Sequence, residues 1–361
     1  MLPRFPQSRL DPAQPTGLIL CGMGGPDGPD SVRPFLQNLF SDPRIIPIPR
    51  LLAPILSRLI ARRRAPAVRK RYARIGHGGG SPQLETTLKQ GVRLAELAAT
   101  HGLLWHPGAA MRYWHPFPSK TVADLKSLGC GQYVVVPTYP QFSDATNAST
   151  IDFVLDALAR IQPDAAVHVL PSWELLPGFI TALATAATAT LRRWIESEVD
   201  PASCSLLFVA HSLPEKFVKA GDPYLSQSRA TVGAVHAAIR SELAESTNWL
   251  DRMPGGGGPL LAFQSRVGPI KWLGPDVQDE TRRLAKAGCR RLHVQPVSFT
   301  CEHIETLHEL DIELGKEAGL VGIEEFSRGS ALNLNESWLS SLAEHLILSI
   351  HPKSEVDHAS N

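Results

Sequence analysis

The strongest constraint on this chain is a rhythm of short apolar runs. GLILC (17–21), GAAMRYW (108–114), QYVVVP (132–137), AVHVLP (166–171), SLLFVA (205–210), PLLAFQS (259–265) and RRLHVQPVSF (290–299) all have strand length. Between them lie helix-like stretches such as LETTLKQGVRLAELAATHG, STIDFVLDALARI, RATVGAVHAAIRSELAES and DETRRLAKAG. This alternation predicts βαβ units and parallel sheets. The fold class is therefore α/β, and seven or more strands split naturally into two doubly wound halves. A length of 361 residues agrees with about two domains of roughly 100–200 residues each. The join is expected near 172–180. The expected organisation is a loose tail (1–15), an N-terminal half (16–175), a C-terminal half (176–337), a last amphipathic helix (338–350) and a short polar tail (351–361).

The unusual polar segments follow the same rhythm. GMGGPD follows GLILC, RYWHP ends the second run, TYPQFSDATNAST follows QYVVVP, and HSLPE follows SLLFVA. QSRVGP ends LLAF, and TCEHIETLHELDIEL follows HVQPVSF. All six fall at the carboxyl ends of predicted strands, where open parallel sheets bind ligands. That places a site without naming its chemistry.

Several function classes fall away. GMGGPD carries Asp27 where a dinucleotide fingerprint needs its third glycine, and GHGGGSP (76–82) lacks a phosphate-loop ending. Both glycine loops read as tight turns. A net charge of +1 calls for no nucleic acid partner. No segment reaches the ~18 apolar residues that span a bilayer. The N-terminus lacks a signal-peptide core. The five cysteines are scattered, with no CxxC. They indicate a reducing compartment rather than a disulfide or cluster framework. The reading is cytoplasmic, with attachment to a membrane surface left open.

Three groups of residues carry candidate chemistry. His211 stands where an apolar strand exits. Ser212 and Glu215 after it read as a helix capping box, which leaves the histidine unexplained. An imidazole there can accept a proton near neutral pH or bind a metal. Glu305, Glu309 and Glu313 are spaced i, i+4, i+8, with Glu302 close to the same face. On an α-helix they form a ladder opposite Ile304, Leu307, Leu310 and Leu314. A wet acidic face is the plain reading. Like charges at this spacing destabilise a helix, however, and such a ladder can carry protons or guide a divalent cation. In RLLAPILSRLIARRRAPAVRKRY (50–72), Leu51, Leu52, Ile55, Leu56, Leu59 and Ile60 form an apolar stripe beside a basic cluster. Such a stripe suits core packing, an anionic membrane surface or an amphiphilic acid.

HSLPEKFVKAGDPY, FQSRVGPIKWLGP and SFTCEHIETLHELDIE together resemble the ferrochelatases, which insert ferrous iron into protoporphyrin to complete heme synthesis. GGPDGPDSVRPFLQNLFSDPRIIPIP, RRRAPAVRKRYARIGHGGGSP, MRYWHPFP and VVPTYPQFSDATNAST agree, so the resemblance spans roughly residues 17–350. It implies a chelatase-type fold of two similar Rossmann-like halves, with the porphyrin cleft between them. It places the family's active-site histidine on His211 and its glutamate on Glu305, with His303 just before it. Glu309 and Glu313 match the further acidic residues. Met23, Arg63, Arg64, Tyr72, Arg112, Tyr113 and Ser265 match substrate-side positions.

That chemistry accounts for the odd residues. Metallation removes two pyrrole protons, so a base must lie close to the ring, and a neutral imidazole at His211 suits it. The ladder would carry protons away or lead iron in. The rival assignment makes His211 and Glu305 transient iron ligands. The stripe at 50–64 would shelter the macrocycle or touch the membrane that delivers it. Iron is substrate here, and no permanent cofactor is expected. Some family members hold a [2Fe-2S] cluster. Here Asp144 occupies the place of its first cysteine and no cysteine follows Cys301, so no cluster is expected. Coproporphyrin-using relatives tend to carry tyrosine at the place of Met23, which favours protoporphyrin. A porphyrin or heme carrier would not need the acidic ladder.

Overall fold

The computed structural model describes residues 5–45, 52–255, 258–266, 268 and 270–351. The first half runs β1 (Thr16–Gly22), α1 (Val32–Ser41), α2 (Ala53–Arg74), α3 (Gln83–Ala99), β2 (Trp105–Met111), α4 (Pro118–Ser127), β3 (Gln132–Pro137), α5 (Ser149–Ile161) and β4 (Ala166–Val169). Helix α6 (Pro177–Glu196) leads into β5 (Cys204–His211), α7 (Glu215–Lys219), α8 (Tyr224–Glu242), α9 (Thr247–Asp251), β6 (Leu260–Gln264), α10 (Val277–Lys286) and β7 (Arg291–Pro296). A π-helix, Glu305–Leu314, continues into α11 (Gly315–Leu320), followed by β8 (Glu325–Arg328) and α12 (Glu336–Ile350).

The two sheets have the orders β2-β1-β3-β4 and β6-β5-β7-β8, all parallel. Each half places its first strand between its second and third, so one topology occurs twice. Alternate residues of each strand serve different layers, because successive side chains point to opposite faces. Leu18 and Leu20 of β1 enter one core with Leu206, Phe208 and Ala210 of β5. Ile19 and Cys21 face α4 and α5, whereas Leu207 and Val209 face α10 and the π-helix. The shared core is completed by α6, through Phe179, Leu183 and Leu191, and by α12, through Trp338, Leu342 and Leu346.

Three features differ from the sequence pattern. Residues 5–10 are not a loose tail. Ser8 N–H donates to Val167 C=O, Val169 N–H donates to Pro6 C=O, and Phe5 and Leu10 are buried. Burying such side chains contributes about 1.5–3 kcal/mol each. An eighth strand, EFSR, carries no apolar run because it is a half-buried edge. The second run is also displaced: β2 stops at Met111, which leaves Arg112 and Tyr113 on the turn at its carboxyl end.

Candidate active site

His211 is the last residue of β5, and its ring is fixed by its own chain. Nδ1 lies 2.6 Å from Ser212 C=O, so Nδ1 carries a proton and Nε2 is turned toward Glu305. Nε2 is 3.5 Å from Glu305 Oε1, and Glu305 Oε2 is 3.4 Å from His303 Nε2. Phe299 meets the His303 ring edge-on at 4.4 Å. One carboxylate therefore stands between two imidazoles. The capping box expected after His211 does not form. Ser212 Oγ donates to Leu273 C=O, Glu215 pairs with Lys219, and α7 begins behind Pro214 with no side-chain cap.

The electrostatics follow from these contacts. Burial opposes a charge on His211, but Glu305, Glu309 and the Ser212 carbonyl outweigh it and push the imidazole up to about 9. Burial likewise opposes the Glu305 charge, yet His211 and His303 hold its carboxyl well below the usual carboxylate range. Both shifts favour an imidazolium–carboxylate pair at neutral pH. Glu309 is shifted the other way: burial and the Glu305 charge raise it, against hydrogen bonds from Ser265 and Gln264. Ser265 Oγ donates to Glu309 Oε2, and Gln264 Nε2 lies 3.2 Å from the same oxygen. Ser265 adopts φ 67°, a left-handed conformation that costs a non-glycine residue roughly 1–3 kcal/mol and is typical of functional sites.

The ladder lies on the π-helix, not on an α-helix. Bonding from i to i+5 packs more residues into each turn, so residues four apart stay closer to one face. Glu305 is only 18% exposed and Glu313 is 34% exposed, so the row runs from a sheltered end to a wetter one. Glu313 pairs with Arg71 of α2 at 3.3 Å and lies 3.5 Å from the buried His308. Glu302 leaves the row. It accepts from Arg328 Nη1 and from Ala331 N–H, and Arg328 also clamps Asp311.

The opposite wall is apolar. Tyr72 and Tyr113 are buried in a cluster with Phe35, Leu36 and Phe40, and Met23, Trp114 and Ile304 pack against it. Ile304 directly precedes Glu305, so this wall adjoins the imidazole pair. The glycine loops that resembled nucleotide fingerprints serve close packing. Ser81 N–H donates to Pro26 C=O at 2.7 Å, and a Cβ on Gly25 would lie 2.5 Å from Ser81 Cβ. On α2, Arg63 is exposed, and Arg64 stacks on Phe40 at 5.4 Å.

The ferrochelatase family profile matches residues 15–348. The chain belongs to the ferrochelatase family. The ferrochelatase of Gloeobacter violaceus is 39% identical over 336 residues, covering 92% of this chain and 96% of that protein. Those of Thermosynechococcus vestitus (38% over 337 residues, 92% and 81% covered) and Geotalea uraniireducens (38% over 330 residues, 91% and 96%) are similarly related. Among solved structures, SirB from Bacillus subtilis with Fe3+ aligns with a TM-score of 0.47 at 11% identity, over 74% of this chain and 90% of that one. The protein is accordingly a metal chelatase of the lyase class, as the segments from HSLPE to ELDIE imply.

Within this ferrochelatase cleft, Arg112 and Tyr113 are not free to meet a ligand's carboxylates. Asp42 Oδ2 accepts from Arg112 Nε at 2.9 Å, from Arg112 Nη2 at 2.6 Å and from the Tyr113 hydroxyl at 2.7 Å. Arg112 Nη1 donates to Ser149 C=O, and the guanidinium lies against the rings of Tyr113 and Phe153. Asp42 was not singled out from sequence; as one acidic residue after an amphipathic helix it carries no signal. Tyr139 of the TYPQ segment was also missed. Burial raises its phenol, and Tyr113 and the Glu305 charge act in the same direction. Replacing Asp42 with asparagine leaves the arginine charge uncompensated. It should lower the unfolding free energy by about 3 kcal/mol, read from urea denaturation. A change below about 1 kcal/mol would show that the pair behaves like a surface salt bridge.

Proposed function

We propose that the protein inserts ferrous iron into protoporphyrin IX, forming protoheme and releasing two protons, as the last step of heme synthesis. The observation that carries this is the Glu305 carboxylate held between His211 and His303, beside the raised Glu309. Iron is the substrate. Its double charge competes with the proton on His211 for the Glu305 carboxylate. On its arrival the His211 Nε2 proton passes to Glu309, whose carboxyl is already biased toward protonation. His211 is then neutral and accepts one pyrrole proton at Nε2. As iron leaves for the four ring nitrogens, Glu305 is freed to accept the second. Glu313, at the wetter end of the row, returns protons to solvent. His211 and Glu305 are thus both transient iron ligands and proton acceptors, in sequence. Met23, Tyr72, Tyr113 and Trp114 would shelter the macrocycle, and Arg63 at the rim would meet its carboxylates.

The test is anaerobic incubation with protoporphyrin and ferrous iron, following loss of porphyrin fluorescence and growth of heme absorbance, with coproporphyrin in parallel. Faster turnover of protoporphyrin supports the reading. Preference for coproporphyrin moves the substrate to the four-carboxylate branch, and binding without turnover makes the protein a carrier. We also infer that it holds no [2Fe-2S] cluster, since Asp144 begins a short π-turn where the first cluster cysteine would stand. Labile sulfide in purified protein would overturn that.

Peripheral membrane contact belongs to the same proposal. No helix among the described residues is long and apolar enough to cross a membrane. On α2 and the residue before it, however, Leu52, Ile55 and Leu59 are 50%, 66% and 62% exposed, beside the exposed Arg58, Arg62 and Arg63. Apolar side chains flanked by arginines fit an anionic lipid surface. Leu51 lies outside the described residues. The double variant Ile55→Glu/Leu59→Glu should reduce co-sedimentation with anionic phospholipid vesicles at least tenfold. Binding equal to wild type would remove the stripe from that role.

A further inference from the structure

His211 is tied to the opposite half of the molecule by three successive links. Ser143 and Asp144 belong to the N-terminal half, just after TYPQ. Ser143 Oγ donates to Asp222 Oδ2 at 2.8 Å, and Asp144 N–H donates to the same oxygen at 2.9 Å. The other oxygen, Asp222 Oδ1, accepts from Tyr224 N–H at 3.0 Å. The Tyr224 hydroxyl donates to the His211 main-chain carbonyl at 2.9 Å and lies 3.1 Å from Ser298 Oγ. Ser143, Asp222 and Tyr224 are all buried. One carboxylate therefore gathers donors from both halves, and the tyrosine beside it holds the peptide that carries the imidazole.

The geometry points to Tyr224 and Asp222 as positioning residues that couple the placement of the N-terminal half to the aim of His211 Nε2. The reason is local. The ring's Nδ1 is fixed to Ser212 C=O, one peptide along. Any rotation of the His211 carbonyl therefore carries the ring with it and changes the 3.5 Å gap between Nε2 and Glu305. In the parallel sheet, β5 is supported on both sides by β6 and β7, but His211 is its terminal residue. The N–H side of its peptide is held by Gln264 C=O, to which Ser212 N–H donates at 2.9 Å, and the Tyr224 hydroxyl holds the carbonyl side. A porphyrin between the halves presses on both walls, and this path transmits their spacing to the base.

This inference rests on His211 acting as the proton acceptor, and its test separates the two ideas. Tyr224→Phe keeps the ring and removes only the hydroxyl. Ser143→Ala removes a donor in the other half and touches nothing near His211, whereas Ser143→Thr keeps a hydroxyl. Tyr224→Phe should lower kcat by up to about 10²-fold, the scale expected of a group misplaced by about 1 Å, with the KM for porphyrin and the thermal midpoint close to wild type. Ser143→Ala should lower kcat in the same sense, and Ser143→Thr should restore it. The His211 ring resonances, assigned against His211→Ala at one fixed pH, should move in both Tyr224→Phe and Ser143→Ala. Unmoved resonances in Ser143→Ala would overturn the coupling, as would a kcat loss that only follows a fallen thermal midpoint. If wild-type protein fails to metallate porphyrin, the proton-acceptor reading falls, while the resonance comparison still decides whether the path exists.

Discussion

His211→Ala is expected to abolish metallation while porphyrin still binds. The imidazole at the end of β5 turns its Nε2 toward Glu305, and it is the leading partner that holds Glu305 ionised. Removing a general base typically costs 10²–10⁴-fold in rate. Here the same change also leaves Glu305 with His303 alone, so the upper part of that range is expected. The apolar wall of Met23, Tyr72 and Tyr113 is untouched, so quenching of porphyrin fluorescence on binding should persist. Two measurements on one preparation settle it: heme formation under anaerobic conditions and porphyrin titration by fluorescence. Turnover within tenfold of wild type would exclude His211 as the proton acceptor.

The second large effect is expected from Glu305→Gln, and it has two separable parts. Turnover should fall at least about a hundredfold, because an ionisable group that meets both proton and iron is lost. The pH dependence should move as well. The Glu305 charge is the leading contact that lifts His211 to about 9 against burial. In wild type, His211 has to give up that proton before it can accept one from the ring, so kcat/KM should climb as pH rises toward 9. With glutamine in place, the imidazolium loses its main support. His211 deprotonates at lower pH, and the rising limb should shift toward the ordinary histidine value near 6.5. A pH–rate series on the residual activity reads this directly. An unchanged midpoint would mean that the rising limb belongs to another group.

Those two residues were legible in sequence for different reasons. His211 stood out because the run before it is fully buried and nothing local explains an imidazole at its end. Glu305 stood out through spacing and family motif together. The protonation of the pair was not legible, since it depends on a 3.5 Å approach between side chains 94 positions apart in the chain. Asp42 illustrates the same limit. Its partners come from the turn after β2, and no local pattern marks an acidic residue that will be buried against a distant arginine. Glu302 is the converse: spacing put it beside the ladder, but the Arg328 guanidinium and the Ala331 amide draw it away. The seven apolar runs announced their strands because parallel strands are covered on both faces. EFSR escaped because an edge strand needs no such run. The π-helix was read as an α-helix because both place apolar and acidic residues on opposite sides at this spacing.

Helix α12 carries a consequence for synthesis. Trp338, Leu342 and Leu346 fill a core that also contains Leu18, Leu20 and Val134 of the first sheet. Those strands leave the ribosome early, yet α12, which packs on α3 and α6 in the same core, is the last of the described elements to be translated. Domains ordinarily fold as units in the order of their synthesis. Here the nascent N-terminal half emerges with one apolar face waiting, and it stays sticky until almost the whole chain is out. Chains arrested before Glu336 should accumulate as chaperone-bound or aggregated material rather than as a stable half-molecule, a dependence that a protein built from two independently closed domains would not have.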